Sequence, residues 1–272
     1  MLKNIVVATE KKGYYNILEH SCKRHNIDLI PLGMGEKWTG FTMRFNLWYN
    51  YLNTLNNEEI VMINDAYDVV ILQDANIILE KFKKYNTKVL FSSGRGMTSN
   101  LTFYKFKKYV TCMGNIIGEV KYIKKIIKLL YKYKSEWKRF NYDDQLILGY
   151  VILKECAFFK KYVDLDTKSD FFFVSEFENF FYIQYLLNNN IKGLQMKNNK
   201  IYNTNNKLPV VLHLACLMNG NKYLEYLNYD ISTVNLEINK YKIKQAFVLI
   251  KHILKNLSIY IYIYSYNNFI FL

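Results

Sequence analysis

Short apolar runs alternate with amphipathic stretches from residue 5 to residue 92, and this alternation restricts the fold more than any other feature. Ile5-Val-Val-Ala8 reads as a strand, residues 14–24 as a helix, and residues 27–30 as a second strand ended by Pro31. Residues 45–55 read as a helix, 59–64 as a third strand, 76–84 as a helix and 88–92 as a fourth strand. Strand, helix, strand, helix is the pattern of an α/β sheet with parallel crossovers. The third run is apolar throughout, which places it in the middle of the sheet, buried on both faces. Further along, the pattern predicts a strand near 115–117, helices at 119–133 and 143–154, and a strand at 210–212.

The fold class selects where chemistry belongs. In open α/β sheets, ligands bind beyond the carboxyl ends of the strands. The residues to suspect are therefore Thr9 and Glu10, Gly33 to Gly40, Asp65 to Asp68, Ser92 to Gly96, and His213. Neither Gly33-Met-Gly35 nor Gly94-Arg-Gly96 extends to the G-x-G-x-x-G that joins strand to helix in dinucleotide sites, which argues against a dehydrogenase.

The sharpest local signal is Asn64-Asp65-Ala66-Tyr67-Asp68, with two carboxylates three apart directly after a buried strand. Carboxylates placed there without a partner cost desolvation energy. A divalent cation is one partner; hard oxygen ligands suit Mg²⁺ or Mn²⁺, and an added imidazole favours Mn²⁺. Such an ion neutralises a diphosphate and activates it as a leaving group. The plain alternative has Asp65 capping a turn and Asp68 solvated. His213, after Pro209-Val-Val-Leu212, reads by itself as a structural histidine, as do His20, His25 and His252 inside helical patterns. Asp143-Asp144-Gln145 opens an apolar helical run, where a carboxylate caps the helix or stands at an active-site rim. Asp143, nearer the helix start, suits the cap, which leaves Asp144 for the cleft.

Composition adds bounds. The chain has 272 residues, enough for one domain with a large core, and a formal charge of +14. A basic surface attracts polyanions: nucleic acid, anionic lipid or a nucleotide diphosphate. Yet lysines such as those in Lys121-Tyr-Ile-Lys-Lys-Ile-Ile-Lys128 fall opposite an apolar helix face of Ile123, Ile126, Ile127 and Leu130, as on a solvated helix. The four cysteines form no C-x-x-C pair, so neither a zinc nor a redox site is indicated. The N-terminus runs into the first strand without the pattern of a secretory signal, so a cytoplasmic or viral-factory-like compartment is expected. After Lys255 no charge follows, and Ile and Tyr alternate from Ile259 to Tyr264. The segment 229–272 reads as a helix and apolar tail beyond a domain spanning 1–228. Its reading is packing, homo-oligomer assembly or membrane-surface contact.

The order of motifs resembles the glycosyltransferase domain of the procollagen lysyl hydroxylases and their viral and bacterial relatives. Val7-Ala-Thr-Glu10 with Gly13-Tyr14 resembles the family's first strand and turn. Leu32-Gly-Met-Gly-Glu-Lys-Trp38 with Gly40 resembles its Leu-Gly-x-Gly-x-x-Trp-x-Gly stretch. Asp65-Ala-Tyr-Asp68-Val69 is similar to its Asp-x-Tyr-Asp-Val metal motif, and Asp143-Asp144-Gln145 to its Asp-Asp-Gln. Asn115-Ile-Ile-Gly118 lies where a Gly-Phe-Ile-Gly run is usual. Asp164-Leu-Asp166 with Lys168-Ser169 resembles a Leu-Asp segment, Pro209-Val-Val-Leu-His213 a Pro-x-Val-x-His motif, and Asn219-Gly220 with Lys222 the residues beyond it. Matches in this order over residues 3–228 are hard to obtain by chance.

The resemblance implies a type-A, Rossmann-like glycosyltransferase fold with a mostly parallel sheet, and a hexose moved from a UDP-sugar to a hydroxyl. It implies Asp65, Asp68 and His213 as Mn²⁺ ligands. It puts Thr9 and Tyr67 near the uridine, Lys222 near the diphosphate, Trp38, Asn219 and Gly220 also in the donor site, and Asp143 or Asp144 near the transferred sugar. UDP-glucose or UDP-galactose is the expected donor, with a protein or glycan acceptor. The departures fall on the acceptor side: Cys112-Met113-Gly114 replaces Asn-Ser-Gly, Ser92-Ser93-Gly94 stands where an acid is usual, and Leu214 to Met218 is extra. The hydroxylase half is absent from these residues, so lysine hydroxylation is not expected. Two other classes compete: a basic nucleic-acid-binding protein or metal-dependent nuclease, and a catalytically silent interaction module.

Overall fold

The computed structural model describes residues 1–94, 110–175, 191–215, 218–232 and 234. Its centre is a six-stranded sheet built from β1 (Lys3–Val7), β2 (Asp28–Leu32), β3 (Ile60–Asp65), β5 (Val89–Gly94), β6 (Val110–Glu119) and β7 (Val163–Asp166), in the order β2-β1-β3-β6-β5-β7. The pairs β1–β2, β1–β3 and β5–β7 are parallel, whereas β6 runs antiparallel to both neighbours. The sheet is thus mostly parallel with one reversed strand. The apolar third run is central, between β1 and β6.

Helices cover both faces. Strand side chains alternate, so Ile5, Val7, Val61 and Ile63 face one side. There they meet α2 (Met43–Leu52), α4 (Val120–Lys132) and α5 (Asp144–Lys154) through Phe45, Trp48, Ile123, Ile127 and Ile147. Val6, Met62 and Ile117 face the other, against Leu18 of α1 (Tyr15–Arg24) and Ile78 and Phe82 of α3 (Ala75–Lys84). On α4 the isoleucines are buried and Lys121, Lys125 and Lys128 exposed, the division that the spacing predicts. A short α6 (Cys156–Tyr162) leads into β7.

A second, three-stranded sheet joins β4 (Val69–Ile71), β8 (Phe172–Val174) and β11 (Val211–His213), with β11 in the middle. The hairpin β9 (Gln195–Lys197) and β10 (Lys200–Tyr202) and the short α7 (Asn221–Tyr226) complete the described elements. Asp166 ties the two sheets together: its carboxylate accepts from the backbone N–H groups of Asp170, Phe171 and Phe172 and from the Tyr85 hydroxyl.

Two differences from the sequence reading have physical causes. The second strand does not stop at Pro31 but continues to Leu32, with Pro31 paired to Val6. It lies at the sheet edge, where proline's missing N–H leaves no ladder bond unmade. The strand near 115–117 is much longer, and its pairing with β5 jumps between Phe91↔Ile116 and Ser92↔Cys112. Three residues, 113–115, are set out of that register, a bulge beside the site described next. Among the described residues no helix is long and apolar enough to cross a membrane. The apolar tail from 235 onward lies outside the described residues.

Candidate metal centre and active site

Asp65 ends β3, Asp68 precedes β4 and His213 ends β11. Because β11 pairs with β4 in the register His213↔Val69, the imidazole is brought to the carboxylates from 145 positions beyond Asp68 in the chain. His213 Nε2 lies 3.3 Å from Asp68 Oδ1 and 3.6 Å from Asp65 Oδ2. One ligand atom from each residue falls within 4.8 Å of the others. The histidine is buried, and burial pulls its pKa down, but the Asp68 charge and hydrogen bond outweigh this and hold it well above the ordinary value. A ring that prefers positive charge here is a measure of how strongly the carboxylates demand a cation.

The residues fit a divalent metal. Two carboxylates and an imidazole nitrogen match the oxygen and nitrogen chemistry of Mn²⁺. Space has been left as well: a Cβ on Gly114 would stand 2.3 Å from Asp65 Oδ2 and 2.6 Å from His213 Cε1. Only a glycine leaves that side of the cluster open. His213 Nδ1 is turned away, 2.7 Å from Asn115 Oδ1, so Nε2 is the atom presented to the carboxylates.

Arg44, absent from the sequence expectations, sits at the centre of the charge network. Its Nη1 donates to Asp65 Oδ1 at 2.5 Å, and its Nη2 contacts Asp144 Oδ2. The guanidinium is buried beside Trp48 and Phe41, with Cζ 5.2 and 5.4 Å from their ring centroids. Asp144 therefore stands one side chain from the metal cluster, buried at the first residue of α5. Asp143 is the N-cap: its Oδ1 accepts from Leu146 N–H at 3.0 Å. The only sequence trace of Arg44 is a lone cation among Met43, Phe45 and Trp48 on an otherwise uncharged helix.

The nucleotide-side candidates fall into two groups. Thr9 N–H donates to the Tyr67 hydroxyl at 2.9 Å, and Thr9 carbonyl accepts from Gly35, so the ends of the first and third strands and the glycine turn meet. Trp38 is exposed on that turn, edge-on to Phe41 at 5.8 Å. Gly220 N–H donates to the Tyr14 hydroxyl, and Tyr14 N–H to the Tyr67 carbonyl, which ties the α7 start to the same region. Asn219 Oδ1 accepts from Asn221 N–H at that start, while Lys222 Nζ lies 4.8 Å from the Tyr223 ring. The extra residues after His213 are absorbed partly by burial: Leu214 N–H donates to Asp68 carbonyl, and Met218 carbonyl accepts from Tyr14.

A family model for the PLOD GT domain matches residues 1–237. The chain belongs to this family. It is a glycosyltransferase domain by that membership. Among curated relatives of the PLOD GT domain, the chain is 34% identical over 101 residues to Procollagen-lysine,2-oxoglutarate 5-dioxygenase of Drosophila melanogaster, covering 34% of this chain and 14% of that protein. It is 28% identical over 187 residues to the Multifunctional procollagen lysine hydroxylase and glycosyltransferase of Caenorhabditis elegans, covering 62% and 25%. The chain thus spans a quarter or less of the length of these relatives. Among solved structures it is similar to a glycosyltransferase involved in the glycosylation of the major capsid of PBCV-1, at 11% identity, covering 79% of this chain and 95% of that one, with a TM-score of 0.44. The mixed α/β architecture with its mostly parallel central sheet agrees with the type-A fold expected for the PLOD GT domain.

Proposed function

We propose that this chain transfers a hexose, glucose or galactose, from a UDP-sugar to a hydroxyl on a protein or glycan, hydroxylysine included, with Mn²⁺ held by Asp65, Asp68 and His213. The observation that carries the reading is the convergence of those three ligand atoms within 4.8 Å, on a side that Gly114 keeps open. When bound, the ion supplies positive charge for the diphosphate leaving group.

The chain's own residues do the rest. Thr9, Tyr67 and Trp38 hold the uridine at the ends of the first and third strands, and Asn219, Gly220 and Lys222 approach the diphosphate from α7. Asp144 stands on the sugar side, and Arg44 holds it in place while sharing its charge with Asp65. In the transfer, the bond from the anomeric carbon to the diphosphate oxygen breaks and a bond to the acceptor oxygen forms. UDP departs with the electron pair of the broken bond, the hydroxyl proton passes to water, and positive charge develops at the sugar carbon. A buried carboxylate near that carbon stabilises the charge more than water would.

A panel of UDP-sugars tests the proposal by UDP release with Mn²⁺ and with chelator, beside thermal melts with UDP. We expect release from UDP-glucose or UDP-galactose with Mn²⁺ only, and UDP stabilisation only when the ion is present. UDP stabilisation of equal size in chelator, or release from neither sugar, rejects it. The second outcome combined with Mn²⁺-dependent UDP binding would assign a silent binding module instead.

A further inference from the structure

Three asparagines are buried in the sheet, on adjacent strands where their neighbours are aliphatic. Asn4 of β1, Asn64 of β3 and Asn115 of β6 are each at most 2% exposed. By strand alternation they share a face with Val6, Met62 and Ile117, the side that carries β11. Their amides form one chain. Asn4 Nδ2 donates to Cys22 Sγ at 3.5 Å, Asn64 Nδ2 to Asn4 Oδ1 at 2.7 Å, and Asn115 Nδ2 to Asn64 Oδ1 at 2.8 Å. The last acceptor, Asn115 Oδ1, lies 2.7 Å from His213 Nδ1.

The chain has a polarity. Each amide gives its N–H₂ toward Cys22 and its oxygen toward His213, so the final oxygen can only accept. His213 Nδ1 must then carry a proton, and Nε2 is the nitrogen left to face Asp65 and Asp68. A hydrogen-bond acceptor on the far ring nitrogen is the ordinary means of orienting a metal-binding imidazole. Carboxylates and backbone carbonyls usually serve; here the acceptor is a side-chain amide whose own orientation is set by two more. Burying three amides costs desolvation that aliphatic residues would not incur, unless every polar atom is used.

We infer that Asn115, held by Asn64 and Asn4, is the positioning residue of the metal centre, fixing His213 with a proton on Nδ1 and Nε2 toward the cation. The inference rests on the proposed metal reading, but the proton on Nδ1 is tested without the metal.

The test uses the full chain, labelled with ¹⁵N and free of metal. Imidazole-selective spectra, with His213 assigned by its loss in His213→Gln, should show a downfield, slowly exchanging Nδ1–H. Asn115→Ala should lose that resonance, and Asn115→Asp, whose side chain also accepts, should retain it. Mn²⁺ affinity, read by the free-ion EPR signal, should fall roughly 10- to 100-fold in Asn115→Ala. Asn64→Val, one link further from the ring, should broaden the same resonance if Asn115→Ala does not fold. A proton found on Nε2 alone in the wild type overturns the inference. So does Asn115→Ala, or Asn64→Val in its place, with an unchanged Nδ1–H and unchanged Mn²⁺ affinity. A wild type with the expected Nδ1–H but no Mn²⁺ binding would reject the metal reading and leave the positioning role standing.

Discussion

Arg44 Nη1 lies 2.5 Å from Asp65 Oδ1, so a cation from α2 already occupies one oxygen of the first carboxylate in the cluster. The other guanidinium edge reaches Asp144. The candidate metal cluster and Asp144 are therefore joined by a single buried side chain, and substitutions on either side are coupled.

That coupling is measurable. Arg44→Gln leaves Asp144 buried without its cation, a loss on the order of 3–5 kcal/mol. The double variant Arg44→Gln with Asp144→Asn removes both charges and should recover a substantial part of this. Urea unfolding of the wild type, both single variants and the double variant closes the cycle. Additive single effects would show that Arg44 and Asp144 do not act as a pair.

Gly114 gives a sharper test of the metal pocket. An alanine methyl there would stand 2.3 Å from Asp65 Oδ2 and 2.6 Å from the imidazole, so the ligands must move apart. We expect Gly114→Ala to weaken Mn²⁺ binding roughly 10- to 100-fold, as other disturbances of ligand orientation do. Calorimetric titration of Mn²⁺ checks this, and an affinity equal to wild type would remove Gly114 from the site.

The Thr9–Tyr67 bond predicts a change in donor binding. Tyr67→Phe removes the acceptor of the Thr9 N–H and loosens the ends of β1 and the third-strand turn relative to each other. The loss should be about 1 kcal/mol, roughly a fivefold rise in KM for the UDP-sugar, with kcat nearly unchanged if Tyr67 serves only the proposed uridine side. Steady-state rates across donor concentration decide it; a fall in kcat with constant KM would place Tyr67 in the chemical step instead.

How much of this was legible in the sequence follows from the range of each signal. The strand–helix alternation is local, and the strands and helices predicted before residue 92 occur close to where the pattern puts them; β4, only three residues long, is too short to stand out and was missed. The central place of β3 followed from its unbroken apolar run. Asp65, Asp68 and His213 were legible as polar residues at the ends of apolar strands, and their proximity in space needed the motif order rather than any spacing. Arg44 was not legible, because its partner lies 100 positions away at Asp144 and a cation in an amphipathic helix reads as solvated. Asn115 and Gly114 escaped because the bulge in β6 depends on its pairing with β5, which no local pattern encodes. Pro31 misled in the opposite sense: a residue that interrupts central strands is harmless at an edge.

Asp143 and Asp144 are adjacent in sequence and differ in burial and in partner. Asp143 caps α5 through Leu146 N–H, and asparagine caps about as well as aspartate, so Asp143→Asn should be nearly silent in stability and turnover. Asp143→Ala should cost on the order of 1 kcal/mol. Asp144 is buried and bound to Arg44, so its carboxylate cannot be explained by capping. In Asp144→Asn the guanidinium keeps Asp65 as its partner, and the negative charge on the sugar side disappears. If that charge stabilises the positive sugar carbon in the transition state, the chemical step slows while UDP binding persists. We expect at least roughly a tenfold loss of turnover, about 1.4 kcal/mol of barrier. Because removing Asp144 also disturbs a buried pair, the melting temperature must be measured beside UDP release at saturating donor, below the melting range of the variant. Turnover that falls while UDP affinity holds assigns Asp144 to the sugar. Full turnover in Asp144→Asn, whatever its melting temperature, would reduce the carboxylate to the anchor of Arg44.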